Sequence, residues 1–239
     1  MDKILDGLVQ KLKASAGGNL RSVVLYGSAA GGEYHPKHSD LNVLCLLYKL
    51  DAMELAKLHK PAKWLARKGH PLPLIFSLEE MRQAADVYAI ELLEIKRRRR
   101  VLYGEDAFDS LDVPMNLHRL QVERELRHRL IQLRQGYVAA AGNRKAVLAL
   151  MTRSASSFAL LFRHALIALG EDAGDSKREA TRQLAALLNF DAACFAPIFE
   201  MREGKRTGKA DHDGIFEKYL QAVTQAVSAV DRKFEELNA

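Results

Sequence analysis

The chain has 239 residues, 48% of them hydrophobic and 28% charged, which is enough for one large or two ordinary globular domains. Its net charge of +6 and pI near 9.3 fit a phosphate-bearing partner without naming one. No apolar run looks long enough to span a bilayer and the N-terminus lacks the plan of a signal peptide, so a cytoplasmic protein with no membrane partner is expected.

In chain order, Met1 to Leu12 predicts an amphipathic helix with Ile4, Leu5, Leu8 and Leu12 on one face. Four short apolar runs follow and read as strands: Ser22 to Tyr26, Asn42 to Leu47, Leu72 to Phe76 and Ala89 to Ile95. Asp51 to Lys68 reads as a helix, and Leu78 to Ala85 as a short one introduced by Ser77. Strands and helices alternate up to Pro114, the pattern of a mixed α/β domain over residues 1–114. Beyond it the chain turns helical: Leu117 to Ala141, ended by Gly142 and Asn143; Lys145 to Leu169, stopped by Gly170; Ser176 to Leu188; and Asp213 to Leu237. Short connections between such helices predict an all-α helical bundle domain over residues 115–239. Of the two cysteines, Cys45 sits in an apolar run and reads as a small buried hydrophobe, and the pair of lone thiols fits a reducing compartment.

The chemistry-bearing stretch is Val23 to Leu47, VVLYGSAAGGEYHPKHSDLNVLCLL. It reads as strand, Gly-Ser turn, glycine-containing loop, then an acid at the mouth of a second strand. Gly27 allows close backbone approach to a ligand. Ser28 offers a hydroxyl and an amide to phosphate oxygens, and the amides after it form a candidate anion nest. Lys37 is a candidate phosphate contact, and Asp40 is placed to hold a divalent cation bridging phosphates.

These residues resemble the nucleotidyltransferase superfamily with the DNA polymerase β-like fold. Its signature is an apolar residue, Gly, then Gly or Ser, a variable loop, and an acidic–apolar–acidic–apolar run. Tyr26-Gly27-Ser28, eleven intervening residues and Asp40-Leu41-Asn42-Val43 follow that plan, with Ser39 matching the Ser-Asp start of small antibiotic-modifying and toxin–antitoxin-linked members. The resemblance implies binding of a nucleoside triphosphate with Mg²⁺ through Gly27, Ser28, Lys37 and Asn42. It also implies transfer of a nucleoside monophosphate to a hydroxyl on an unnamed acceptor, and a helical second domain that helps bind substrate and can supply a glutamate base, Glu123 or Glu125.

The carboxylates depart from the signature. In the family two acids at i and i+2 face one way along a strand and share two metal ions. Here the second is Asn42, leaving Asp40 as the metal residue. The family's third acid lies on a later strand; Pro71 to Phe76 contains none, whereas Ala89 to Ile95 offers Glu91 or Glu94, and Glu91 joins Asp40 in the candidate catalytic pair. Two-metal phosphoryl transfer requires several anionic ligands, so a weak or inactive nucleotidyltransferase is expected. A non-catalytic regulatory or binding protein is the alternative, and a nucleic-acid-binding module a further one.

Several other features read as ordinary structure. His35 and His38 sit in a loop around Pro36 without further zinc ligands nearby. Lys96 to Arg100, KRRRR, reads as a solvated strand end, with a positive rim around an anionic substrate as its functional rival. Ser154, Ser156 and Ser157 read as helix-packing residues, Trp64 as an edge packer, and the Arg206–His212 spacing as chance. Glu123 and Arg127 are placed to pair at i,i+4.

Overall fold

The computed structural model describes residues 1–31, 40–205 and 212–237. The chain forms two compact units, Met1–Pro114 and Met115–Ala239.

The first unit is built on a four-stranded sheet in the order β3-β2-β1-β4. β1 (Leu20–Tyr26) is central and pairs antiparallel with β2 (Asn42–Leu47) and with β4 (Arg99–Gly104). β2 pairs in parallel with β3 (Leu74–Ser77). The runs VVL and VLCLL are apolar without alternation because the sheet is covered on both faces. On one face Val23, Leu25, Val43, Cys45 and Leu47 pack against Leu5, Leu8 and Leu12 of α1 (Asp2–Ala16) and against Leu65 of α3 (His59–Ala66). On the other, Val24, Leu44 and Leu46 pack against Met81 of α4 (Leu78–Gln83) and against Ala89, Leu92 and Ile95 of α5 (Ala89–Arg97).

The expected helix over Asp51 to Lys68 is two helices, α2 (Ala52–Lys57) and α3. Pro61 accounts for the break: without an N–H it cannot bond back to Lys57, and it is tolerated in the first turn of a new helix. Ser77 caps α4 in a reciprocal capping box with Glu80, as its sequence position promised.

The expected strand Ala89 to Ile95 is instead the helix α5. Its buried residues 89, 92 and 95 recur at three-residue spacing against the sheet, while Glu91 is exposed. A seven-residue apolar run cannot distinguish the two periods by itself. The fourth strand comes later, beginning inside the basic run at Arg99.

The second unit contains α6 (His118–Ala140), α7 (Arg144–Ala168), α8 (Lys177–Leu188), α9 (Phe195–Arg202) and α10 (His212–Glu236). Asn143 and Ser176 cap α7 and α8 by accepting from the amides of Ala146 and Glu179. Helix α9 was not anticipated; it is two turns long and contributes Phe195 and Ile198 to an aromatic core with Phe158, Phe162, Phe216 and Tyr219. Buried Tyr219 is satisfied by Ser154 Oγ at 2.9 Å, which explains a serine in that helix face. Ser156 Oγ accepts from Lys177 and from Arg202, a second tie between helices.

Helix α7 corrects one sequence expectation, because it is long and apolar enough to cross a membrane by length and composition. In the bundle its buried face carries Val147, Met151, Ala155, Phe158 and Phe162 together with Arg163 and His164. That is the composition of a core helix surrounded by other helices.

Candidate functional site

Three strand ends meet at one edge of the sheet. β1 ends at Tyr26, which lies opposite Asn42 at the start of β2 and opposite Arg99 at the start of β4. From Tyr26 the chain enters a single 3₁₀ turn, Gly27–Ala29, closed by the amides of Ala30 and Gly31, which both donate to Gly27 O at 3.1 Å. Gly27 has φ +78, a conformation that costs any residue with a Cβ. It is also crowded: a Cβ there would stand 3.3 Å from Asn42 Nδ2. Its amide donates to Arg98 O at 3.0 Å, so strand pairing continues one residue past β1. The amides of Ser28 and Ala29 donate to no backbone carbonyl among the described residues; Ser28 is half-buried and Ala29 is buried in the core.

Asn42 is half-buried beside this turn, and Asp40, two residues before it, is exposed. Between them Leu41 is fully buried, which holds the segment against the core. The Leu41 amide donates to His70 Nδ1 in a long hydrogen bond of 3.4 Å. His70 was not singled out from the sequence. It lies thirty residues from Asp40, and only the parallel β2–β3 crossover brings it there.

The basic run is divided among different tasks. Lys96 Nζ donates to Leu111 O at 2.7 Å. Arg99 is held by both oxygens of Asp106 at 2.9 Å, by Asp109 at 2.5 Å and against the ring of Phe108. Arg100 pairs with Asp2 at 3.0 Å. The Arg98 side chain lies against Gly31, where a Cβ would meet its Cδ at 3.1 Å and its Nε and Nη1 at 3.5 Å.

A solved structure of spectinomycin adenyltransferase AAD(9) from Enterococcus faecialis with ATP and spectinomycin superposes on the chain with a TM-score of 0.60. The match covers 95% of this chain and 98% of that one at 13% identity. This is the two-domain nucleotidyltransferase fold. A toxin–antitoxin structure with AMP-PNP aligns over 44% of this chain and 78% of that one at 20% identity, with a TM-score of 0.30 that is too low to show a shared fold. No family model and no curated protein matches the sequence.

The donor set of the described residues does not fit two metal ions. Among the described residues no group of three or more His, Cys, Asp or Glu could hold a metal. Asn42 is neutral, and β3, which runs beside β2, carries Leu, Ile, Phe and Ser. The strand that was to bring in Glu91 or Glu94 is a helix, with Glu91 on its exposed side. One ion fits better: Mg²⁺ commonly takes one carboxylate, several waters and the oxygens of a bound phosphate, and Asp40 is an exposed carboxylate two residues before Asn42.

The remaining sequence candidates fall elsewhere. Lys37, His35, His38, Ser39 and Arg206 lie outside the described residues, as does the side chain of His212. In the helical unit Glu123 pairs with Arg127 at 3.2 Å, as the i,i+4 spacing indicated, and Arg127 also reaches Asp231 at 2.6 Å. Glu125 stands 3.7 Å from Arg129. Glu123 lines a cleft of about 540 Å³ with Asn116, His118, Arg119, Ile167 and Phe234. Leu120 opens onto the same cleft at 64% exposure.

Burial raises both thiols out of the reactive range. Cys45 is pushed up to about 12 by desolvation, and Cys194 likewise to about 12 by burial and the nearby Asp191 carboxylate. Neither is a nucleophile at neutral pH. Trp64 packs at the edge of the sheet domain with Lys11 and Lys68 over its ring.

Proposed function

We propose that this chain binds a nucleoside triphosphate at the Gly27–Ser28 turn, with a single Mg²⁺ held by Asp40 and the phosphates, and that it lacks the two-ion arrangement of efficient nucleotidyl transfer. What supports this reading is the tight turn at Gly27, packed against Asn42, together with the exposed carboxylate of Asp40 two residues before Asn42. The turn is too short for a helix dipole to matter, so its contribution would be the Ser28 amide and hydroxyl and close backbone approach at Gly27. Lys37 and Asn42 complete the proposed nucleotide contacts, Asn42 as a hydrogen-bonding amide. The reading places the protein in a cytoplasmic, reducing setting, where its free cysteines need no partner.

A slow transferase is the second reading, favoured by the near-complete overlap with an adenyltransferase solved with ATP and an antibiotic. In it, an acceptor hydroxyl would attack the α-phosphorus, form a new P–O bond and release pyrophosphate. The acceptor class suggested by that neighbour is a small hydroxylated molecule. A nucleic-acid partner gains little, because Lys96, Arg99 and Arg100 of the basic run are held by groups within their own domain.

Calorimetry with each of the four nucleoside triphosphates, with and without Mg²⁺, tests the first reading. Binding strengthened by Mg²⁺ is expected for the intact protein and not for Asp40→Asn. Absence of binding by any of the four overturns it. Release of pyrophosphate in the presence of a hydroxylated acceptor would establish the second.

A further inference from the structure

We infer that His70 is a positioning residue for Asp40, fixing the peptide that carries the carboxylate by accepting the Leu41 amide; this rests on the nucleotide-binding reading above. The parallel register puts the two residues together. Leu44 pairs with Leu74 and Cys45 with Ile75, and the same offset continued back by four residues carries Asp40 level with His70. The ladder itself stops at Leu74, because Pro71 and Pro73 have no N–H to give to it. At the level of Leu41 the sheet is thus replaced by a side chain, and the Leu41 amide donates to His70 Nδ1 at 3.4 Å.

That bond matters because Leu41 is fully buried. A buried amide without an acceptor is costly, so removing the imidazole forces the segment to shift until another acceptor is found. The peptide between Asp40 and Leu41 is planar, and orienting the Leu41 N–H therefore orients the Asp40 carbonyl with it. The Leu41 side chain is held in the core at the same time. With both groups of Leu41 fixed, the backbone of Asp40 is fixed too, and only its side-chain torsions remain to meet a cation.

His70 is itself held on both sides. Gly69 before it has φ +87, and the amides of Lys68 and Gly69 donate to Leu65 O and Ala66 O at the end of α3. Pro71 after it keeps His70 extended. The bond also sets the ring's role. A neutral imidazole that accepts at Nδ1 carries its proton on Nε2, so neither nitrogen has a lone pair left for a metal ion. His70 supports the ligand and does not join it. A site with a single carboxylate depends heavily on such support, since no further anionic group among the described residues would compensate for a misplaced Asp40.

The test is calorimetric titration of ATP into the full-length protein, His70→Leu and His70→Asn, each with Mg²⁺ and again with EDTA. His70→Leu should lose about tenfold of the Mg²⁺-dependent gain, the usual size for removing the partner that orients a metal ligand. Its affinity in EDTA should stay within about twofold of the parent, because the Gly27–Ser28 turn keeps its own bonds. His70→Asn should keep most of the gain, its Oδ1 standing near the position of Nδ1. A merely structural role would lower affinity equally with and without metal. Hydrogen exchange of the Leu41 amide, followed by NMR, covers the case in which His70→Leu does not fold: slow exchange is expected in the parent and in His70→Asn, and exchange at the rate of an exposed amide in the parent overturns the inference. A full Mg²⁺-dependent gain in folded His70→Leu overturns it while leaving the nucleotide site intact. Failure of the parent protein to bind ATP overturns the nucleotide-binding reading and this inference with it.

Discussion

Asn42 Nδ2 lies 3.3 Å from the place a Cβ would occupy on Gly27, so Asn42 is packed against the glycine that shapes the turn. Asn42 is therefore part of the local packing and not a loose surface residue. A carboxylate at that position would direct negative charge at the same turn and draw a cation there.

Asn42→Asp accordingly tests the proposed metal site. An i, i+2 carboxylate pair with Asp40 should strengthen Mg²⁺ or Mn²⁺ binding by about tenfold in a thermal-shift titration, since hard cations respond to ligand charge. Without metal the variant should melt lower than the parent, because the two carboxylates repel.

Glu91→Gln should leave Mg²⁺-dependent nucleotide binding within about twofold of the parent, the size of an ordinary exposed substitution. Glu91 sits on the exposed side of α5, whose buried residues Ala89, Leu92 and Ile95 face the sheet. A loss comparable to that of Asp40→Asn in the same calorimetric assay would put Glu91 back in the metal site.

Gly27→Ala combines a positive φ with a contact to Asn42, and should destabilise the protein by about 1–2 kcal/mol in urea denaturation. The double variant Gly27→Ala with Asn42→Ala should regain a part of that, the steric part, while the dihedral part persists.

His118 gives the helical unit an acid sensitivity. Its ring is fully buried on α6, with Nε2 3.0 Å from His164 Nδ1 on α7. Burial, and secondarily the neighbouring His164, holds its pKa down at about 4, from 6.5. The folded state thus favours the neutral ring. This contribution to stability is complete above about pH 6.5, and it is lost as the pH falls toward 4, where the unfolded chain takes up the proton first. Urea midpoints measured between pH 7 and pH 4 should fall by an amount equivalent to about 2–3 kcal/mol from this group. In His118→Gln the slope across that window should flatten, even though the variant starts from a lower stability.

Tyr219→Phe should cost about 1 kcal/mol, as the loss of one neutral hydrogen bond. Ser154 Oγ retains the carbonyl of Leu150 at 2.7 Å, so the deletion strands no donor. Chemical denaturation of the single and Ser154→Ala variants and their combination would isolate the coupling.

Much of the fold could be read locally. Strand β2 has the bounds that its apolar run indicated, and Ser77, Asn143 and Ser176 mark helix starts by a mechanism visible in their own side chains. The misreading of Ala89 to Ile95 came from a run whose length suits either period; what decided it was the second face of the sheet, which required a covering helix and received Leu92 and Ile95. Helix α9 escaped notice because it is two turns long, contains Pro197 and shows no stripe.

By itself the sequence determined the parts of this protein that depend on neighbours in the chain: the Gly27-Ser28 turn between two apolar strands, the acid at Asp40, the neutral Asn42, and a long helical half after Pro114. Only the tertiary structure decided which distant groups share the site. Strand pairing carries Arg98 across to Gly27 and Gly31, and the parallel crossover carries His70 to Leu41, while the helix α5 keeps Glu91 on its exposed face. Hydrogen-bond register and two-sided burial of the sheet act between segments far apart in the chain, and a local pattern of residues does not encode them.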